Sequence, residues 1–204
     1  MKSINDEGKM KKLAYAFLTA LMIAAAPAAC KADDGRPLPV GVKIGALVPA
    51  GSGINTAFVA VADASFALDK HHRLMFQFGS SDSAGCSIDD PGVVVSYCSA
   101  DYQFVSASVF RMHGADRGLY HGIGFAVMRN RLSYQAVYGN TSYVVSSKPT
   151  RLGLLLTLGY GGIKGPFVEA NAMFAGSKQI SPVTKNSIKM DNISFSAGNR
   201  WIFK

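Results

Sequence analysis

Ser108 and His121 are the side chains whose types could form a nucleophile and its base. If the strands that carry them pair around a turn between Gly114 and Ala115, the two side chains lie opposite each other on one face. A catalytic pair of this kind also needs an acid that orients the imidazole. That face carries no acid, because Glu169 is predicted to point to the other side. The sequence therefore favours a polar pair without catalytic function.

Each predicted strand has an apolar face and an opposite face with small and polar residues, and four charged residues lie on the latter. They are Lys43, Asp63, Glu169 and Arg200. Charges enclosed in a protein are normally paired with each other, and small barrels are filled by their own side chains. We therefore interpret these four residues as an interior salt-bridge network, with a conduction path as the alternative.

The three cysteines allow two kinds of modification. Cys86 and Cys98 flank one candidate loop, and a protein exported to an oxidising compartment can join them in a disulfide. Cys30 suggests a lipoprotein, but Pro27 stands where a lipidation signal normally has leucine. No Cys-x-x-Cys motif or histidine pattern indicates a metal site, and we expect no cofactor.

Apolar residues recur with a period of two from Pro39 onward, which is the spacing of strands and not of helices. Eight segments follow this period. They are Val40–Val48, Phe58–Leu68, Leu74–Phe78, Tyr102–Phe110, Leu119–Val127, Leu152–Tyr160, Val168–Phe174 and Ile193–Phe203.

The predicted connections alternate in length. Short ones cover Asp69–His72, His113–Arg117 and Gly161–Pro166. Longer ones cover Ser80–Gly92, Leu132–Pro149 and Ser177–Lys189, whereas Pro49–Asn55 is a short loop on the same side. Short turns at one end and long loops at the other are typical of antiparallel barrels in bacterial outer membranes.

The composition of the two faces decides what surrounds the barrel. Charged residues make up 17% of the chain, against about 25% in a typical soluble domain. One face is apolar, while the other carries mainly glycine, serine and alanine with few charges, which suits a narrow interior better than a water-facing surface. A soluble ligand-binding barrel, the alternative, has its apolar face inside.

Aromatic residues are expected to form two bands on the apolar face. The band near the short turns would contain Phe66, Phe76, Phe110, Tyr160, Trp201 and Phe203. The opposite band would contain Phe58, Phe78, Tyr102, Phe104 and Phe125.

The N-terminus has the layout of a secretory signal peptide. Lys9, Lys11 and Lys12 precede an apolar run over Leu13–Ala26, and small residues follow up to Ala28. We therefore expect a cleavable signal peptide over 1–28 and a single barrel domain over 29–204. The formal charge of +8 is scattered and forms no stripe, so no nucleic-acid partner is expected.

With this strand pattern, the chain resembles the small outer-membrane barrels of the OmpA, OmpX and OmpW kind, including opacity-type surface antigens. The resemblance covers everything after residue 28 as a pattern. Its most specific part is the last strand with Phe195, Trp201 and Phe203, which in such families is recognised by the barrel assembly machinery. Lys204 after Phe203 departs from the usual aromatic end.

The resemblance implies an all-β, eight-stranded antiparallel transmembrane up-and-down barrel in the bacterial outer membrane. Outer-membrane lipid and lipopolysaccharide would be its partners, with a possible external ligand at its loops. Its expected role is structural or adhesive and not enzymatic; a narrow solute channel and a lipid A-modifying enzyme are the alternatives. Ser108 and His121 resemble the pair of the lipid A deacylase family, but that family's His-x-Ser pattern is absent, since Gly122 and Ile123 follow His121.

Overall fold

The computed structural model describes residues 38–50, 53–87, 93–114, 117–176, 178–180, 187–189 and 191–203. The predicted signal peptide over 1–28 and Cys30 lie outside these residues. Twelve strands occur in the described part of the chain. They are β1 (Leu38–Pro49), β2 (Ala57–Ala67), β3 (His72–Ser81), β4 (Ala84–Gly85), β5 (Val93–Met112), β6 (Arg117–Tyr138), β7 (Thr141–Ser147), β8 (Thr150–Gly162), β9 (Gly165–Phe174), β10 (Lys178–Ile180), β11 (Ser187–Lys189) and β12 (Asn192–Phe203).

Eight of these strands form a closed antiparallel barrel. The order around the wall is β1, β2, β3, β5, β6, β8, β9 and β12, and β12 pairs again with β1. Strands adjacent in this order are also successive in the chain of eight, so the topology is up-and-down. The predicted all-β, eight-stranded fold class is confirmed.

The two ends of the barrel differ. The short-turn end, as we call it, has the connections 68–71, 113–116 and 163–164, together with the start of β1 and the end of β12. The opposite, long-loop end has the connections 50–56, 82–92, 139–149 and 175–191 between barrel strands. Strands β5 and β6 are the longest, with 20 and 22 residues, and they continue beyond their neighbours at the long-loop end.

One predicted loop is largely strand. The segment Leu132–Pro149 is a hairpin in which β6 pairs with β7, from Leu132 opposite Ser147 to Tyr138 opposite Thr141. Gly139 has a φ of 57°, a conformation that glycine adopts without strain and that allows the two-residue turn. Directly after the predicted loop Ser80–Gly92, β5 begins at Val93, so the strand is longer than the predicted segment that starts at Tyr102.

Burial alternates along the barrel strands with the predicted phase, except in β5. Here Tyr102, Phe104 and Phe110 are buried inside the barrel, and Val109 is exposed on the outer wall. The prediction that the three aromatic residues belong to the outer bands is therefore wrong. The ring of Phe104 occupies the space at Gly79, its partner residue in β3, where any Cβ atom would collide with the ring.

Candidate functional site

Glu169 of β9 is the centre of a polar network in the half of the interior nearer the short turns. Its carboxylate forms an ion pair with Lys43 of β1, and both side chains are fully buried. Gln77 Nε2 donates to Oε1 at 2.9 Å and Asn171 Nδ2 donates to the same oxygen at 2.7 Å. The hydroxyl of Tyr120 donates to Oε2 at 2.9 Å. These donors replace the water that a carboxylate would otherwise require.

Arg200 of β12 joins this carboxylate to a second one. Its Nε lies 3.1 Å from Asp63 Oδ1 and its Nη2 lies 3.5 Å from Glu169 Oε2. Its Nη1 also donates to the carbonyl of Gly162 at 3.2 Å, and the guanidinium lies 3.9 Å from the ring centroid of Phe167. The structure thus brings the four charged residues predicted for the interior into one place, as two cations with two anions.

Every strand of the barrel contributes to this network. Thr157 of β8 donates to Asn171 at 2.7 Å, and Ser106 of β5 donates to Gln77 at 3.4 Å. The remaining strands supply the residues named above. A network that reaches all eight strands stabilises the closed wall and fills its lumen.

Three members of this region were missed at the sequence level. Tyr120 and Gln77 are uncharged, and Arg73 is the second residue of β3, where it donates to the hydroxyl and the carbonyl of Ser65 at 3.3 Å. The period of two indicates their inward direction, because each is in phase with other interior residues of its strand. Gly159 makes room for Tyr120, since a Cβ atom there would collide with the phenol ring.

An apolar cluster fills the interior on the long-loop side of the network. It contains Leu47, Val59, Tyr102, Phe104, Met128, Leu132, Leu155 and Met173, among other buried residues. The lumen is therefore occupied by a charged layer and then by an apolar layer, which we call the apolar plug.

Ser108 and His121 are not brought together. Ser108 is buried inside the barrel and pairs with Gly124, whereas His121 is exposed outside and pairs with Arg111. The predicted apposition of the two side chains is wrong, because β5 has the opposite phase. Instead, His121 Nδ1 lies 3.0 Å from His113 Nε2, and the two imidazole rings are stacked.

The outer wall is apolar. Side chains of aliphatic and aromatic residues cover every barrel strand, and many are about half exposed. Examples are Val42, Phe58, Phe125 (63%), Leu152 (67%), Leu158 (53%), Val168 and Phe195. Trp201 and Phe203 of the predicted assembly signal also point outward on β12. In contrast, Lys43 is 1% exposed and Glu169 is 3% exposed.

Cys86 and Cys98 form a disulfide at the long-loop end, with Cα atoms 5.1 Å apart. The backbone N–H of Cys86 donates to the carbonyl of Cys98 at 3.3 Å. Cys86 also forms an isolated antiparallel β-bridge with Ile54. The disulfide therefore connects the extension of β5 with the loop that contains Cys86, and the β-bridge connects this loop with the one between β1 and β2.

No helix in the described part of the chain has the length and apolar character needed to cross a bilayer. Comparison with models of known protein families gives no match, and neither does comparison with proteins of curated function.

Solved structures with a similar fold exist. The attachment invasion locus protein Ail of Yersinia pestis has 12% identity and a TM-score of 0.49, with 81% of this chain and 98% of Ail covered. The Neisserial surface protein A (NspA) has 15% identity and a TM-score of 0.47, with coverages of 81% and 97%. The N-terminal β-barrel domain of Pseudomonas aeruginosa OprF has 10% identity and a TM-score of 0.40, with coverages of 79% and 97%. The similarity concerns the barrel fold.

Proposed function

We propose that this protein is an integral outer-membrane β-barrel that acts through its surface loops, in envelope structure or adhesion, without catalysis. The observation that carries the proposal is the polarity of the barrel, with an apolar wall outside and paired charges inside. A soluble protein seldom exposes a continuous apolar patch of more than a few hundred Å². Hydrocarbon is the solvent that makes this wall favourable.

The orientation follows from the two ends of the barrel. Outer-membrane barrels have short periplasmic turns and longer extracellular loops. The short-turn end then faces the periplasm, and the disulfide-linked loops and the β6–β7 hairpin face the outside. Lipopolysaccharide would surround the outer half of the wall, and the long-loop end would be available to an external ligand.

Export is the part of the proposal that rests on sequence. Residues 1–28 would direct secretion and then be removed. Phe195, Trp201 and Phe203 would present the last strand to the barrel assembly machinery.

The filled lumen supports a structural barrel over the alternative of a channel. A solute would have to displace both the ion network and the apolar plug. Planar-bilayer recordings are expected to show no stable conductance steps, and regular steps that disappear when Phe104 is enlarged to Trp would favour the channel instead. The alternative of a lipid A-modifying enzyme is not supported by the pair Ser108 and His121, since the two side chains lie on opposite sides of the wall and cannot act as nucleophile and base together.

Spin labels test the membrane proposal directly. A nitroxide at Leu154 should be relaxed by oxygen, which concentrates in hydrocarbon, and not by a water-soluble nickel chelate. The matched label at Thr157, which is buried inside, should be reached poorly by both reagents. Before labelling, cells are fractionated and unboiled and boiled samples are compared on an SDS gel, where a folded barrel migrates differently. Nickel access at Leu154 in the folded protein would contradict the proposal.

A further inference from the structure

All four histidines of the sequence lie at the short-turn end, on three neighbouring elements of the wall. His72 is the first residue of β3 and His71 precedes it. His113 directly follows the end of β5, and His121 is the fifth residue of β6. The polar network inside the barrel uses none of them. They lie outside the wall, where His71, His113 and His121 are exposed.

Three cation-forming side chains lie next to one another across the wall. His72 pairs with Arg111, and Arg111 pairs with His121. Directly opposed residues in an antiparallel pair have Cβ atoms about 4.5–5.5 Å apart, so one ligand can contact neighbouring side chains of this row. Arg111 and His121 are exposed on the outer face. An anion bound between them would accept from the guanidinium and from an imidazole N–H group.

Further donors surround this row. His113 is stacked on His121 with ring centroids 4.9 Å apart, and Arg117 lies 5.5 Å from the ring centroid of Tyr160. Among the described residues on the outer side of the short-turn end, Asp69 has the only carboxylate. It already accepts from the backbone N–H groups of His71 and His72 and contacts His72 Nδ1 at 2.9 Å. Arg111, His113, Arg117 and His121 form what we call the basic rim.

An apolar groove lies beside the basic rim. His121 pairs with Leu158, which pairs with Ala170 of β9, which in turn pairs with Phe195 of β12. The next row toward the long-loop end repeats this pattern, with Ala172 between Leu156 and Ile193. Because β9 carries alanine where its neighbours carry large side chains, the wall is recessed there. The recess has a volume of about 590 Å³, and a smaller one of about 180 Å³ continues it.

We propose that the basic rim and the groove together bind an anionic phospholipid of the periplasmic leaflet. The phosphate lies between Arg111 and His121, and one acyl chain follows the alanines of β9 toward the membrane centre. A guanidinium beside imidazole N–H donors suits a phosphate oxygen anion, and the groove suits a hydrocarbon chain. The inference rests on the proposed membrane location. A free phosphate ion would use the rim alone, so the adjoining groove favours the lipid.

Native mass spectrometry of the barrel without its signal peptide, refolded in non-ionic detergent, tests this site. Phosphatidylglycerol and phosphatidylcholine with identical acyl chains are titrated separately, and inorganic phosphate forms a third arm. The unaltered barrel should bind phosphatidylglycerol about tenfold more tightly, because phosphatidylcholine carries a cationic trimethylammonium beside the same phosphodiester, and the guanidinium groups of the basic rim repel it. The double variant R111Q/H121Q should lose this preference. R151Q, which removes an exposed charge toward the other end of β8, should keep it.

The groove has its own variant. Ala170→Leu should weaken the binding of both lipids to a similar degree, so that the ratio of the two affinities stays unchanged. The control Ala62→Leu, on the outer face of β2, should change neither affinity. Equal binding of the two lipids by the unaltered barrel, or competition by millimolar inorganic phosphate, would overturn the lipid site. Each protein is also compared boiled and unboiled on a gel. A barrel that is folded but shows no preference refutes the lipid site alone, whereas failure to fold in detergent micelles contradicts the proposed membrane barrel.

Discussion

The substitution Glu169→Gln tests whether the interior charges stabilise the barrel as one unit. In the native network, Lys43 and Arg200 are balanced by Asp63 and Glu169, and the side chains of all four are at most 2% exposed. Glutamine keeps the shape of the side chain but removes one negative charge. The buried set then carries a net charge of +1, and the amide N–H₂ group faces donors that previously pointed at an acceptor.

The expected loss follows from the burial of the partner charges. Removing one member of a buried ion pair costs about 3–5 kcal/mol, because the other charge stays buried without its counter-ion. Lys43→Met should cost a similar amount by leaving Glu169 with one fewer cation. The double variant K43M/E169Q removes the cation and the anion of one pair together, and Arg200 still faces Asp63. It should therefore be more stable than the sum of the single losses by about 2–3 kcal/mol.

Urea unfolding in lipid vesicles measures these differences. Trp201 is the single tryptophan and is half exposed on the outer wall, so its emission reports when the wall leaves the bilayer. Lys70→Met, in the exposed turn between β2 and β3, serves as the control and should change stability by less than about 0.5 kcal/mol.

Additive losses in the double variant would refute this reasoning. They would mean that Lys43 and Glu169 are each stabilised independently, for example through hydration by water in the lumen. A loss as large in Lys70→Met would mean that the assay reports total charge and not the buried pair.

Three further outcomes are expected. Leu156→Arg should destabilise the barrel in vesicles by about 2–4 kcal/mol, because it places a charge on the lipid face near mid-membrane, and unchanged urea stability would contradict lipid contact. Reduction of the Cys86–Cys98 disulfide should leave heat-modifiability intact but speed protease cleavage of the long loops, since the bond lies above the wall; loss of the folded band would show that it supports the barrel itself. The pKa of Asp69 lies below its usual range because its carboxylate accepts from the backbone N–H groups of His71 and then of His72. Its contribution to stability is then present above the pKa of about 3.9 of an unfolded aspartate and disappears as the pH falls through the lower folded value; a carboxyl NMR titration near 3.9 would refute this.

The long-loop end carries the surface that the proposed role depends on. The disulfide and the β6–β7 hairpin give this end defined backbone structure, although the sequence pattern predicts irregular loops there. The parts of β5 and β6 that extend beyond the barrel wall present side chains on both of their faces. An external ligand would therefore meet strand surfaces as well as turns.

Much of the barrel could be predicted from the sequence because the period of two is a local property. Each strand alternates between wall and lumen, and this placed Lys43, Asp63, Glu169 and Arg200 on one face before any partner was known. The eight strand positions and the short turns follow from the same alternation. Narrow barrels leave little room inside, so small residues mark the inner face in most strands.

The phase of β5 was decided only by the tertiary structure. Tyr102, Phe104 and Phe110 alternate with Val105 and Val109, so both faces of this strand are apolar and the period alone does not distinguish them. The aromatic rings lie inside because glycines of neighbouring strands leave space there, as Gly79 does for Phe104. Such complementarity joins residues that are far apart in the chain, and a strand pattern contains no information about it. For the same reason, neither the Ser108–His121 separation nor the row His72, Arg111 and His121 could be found before the strands were set in register.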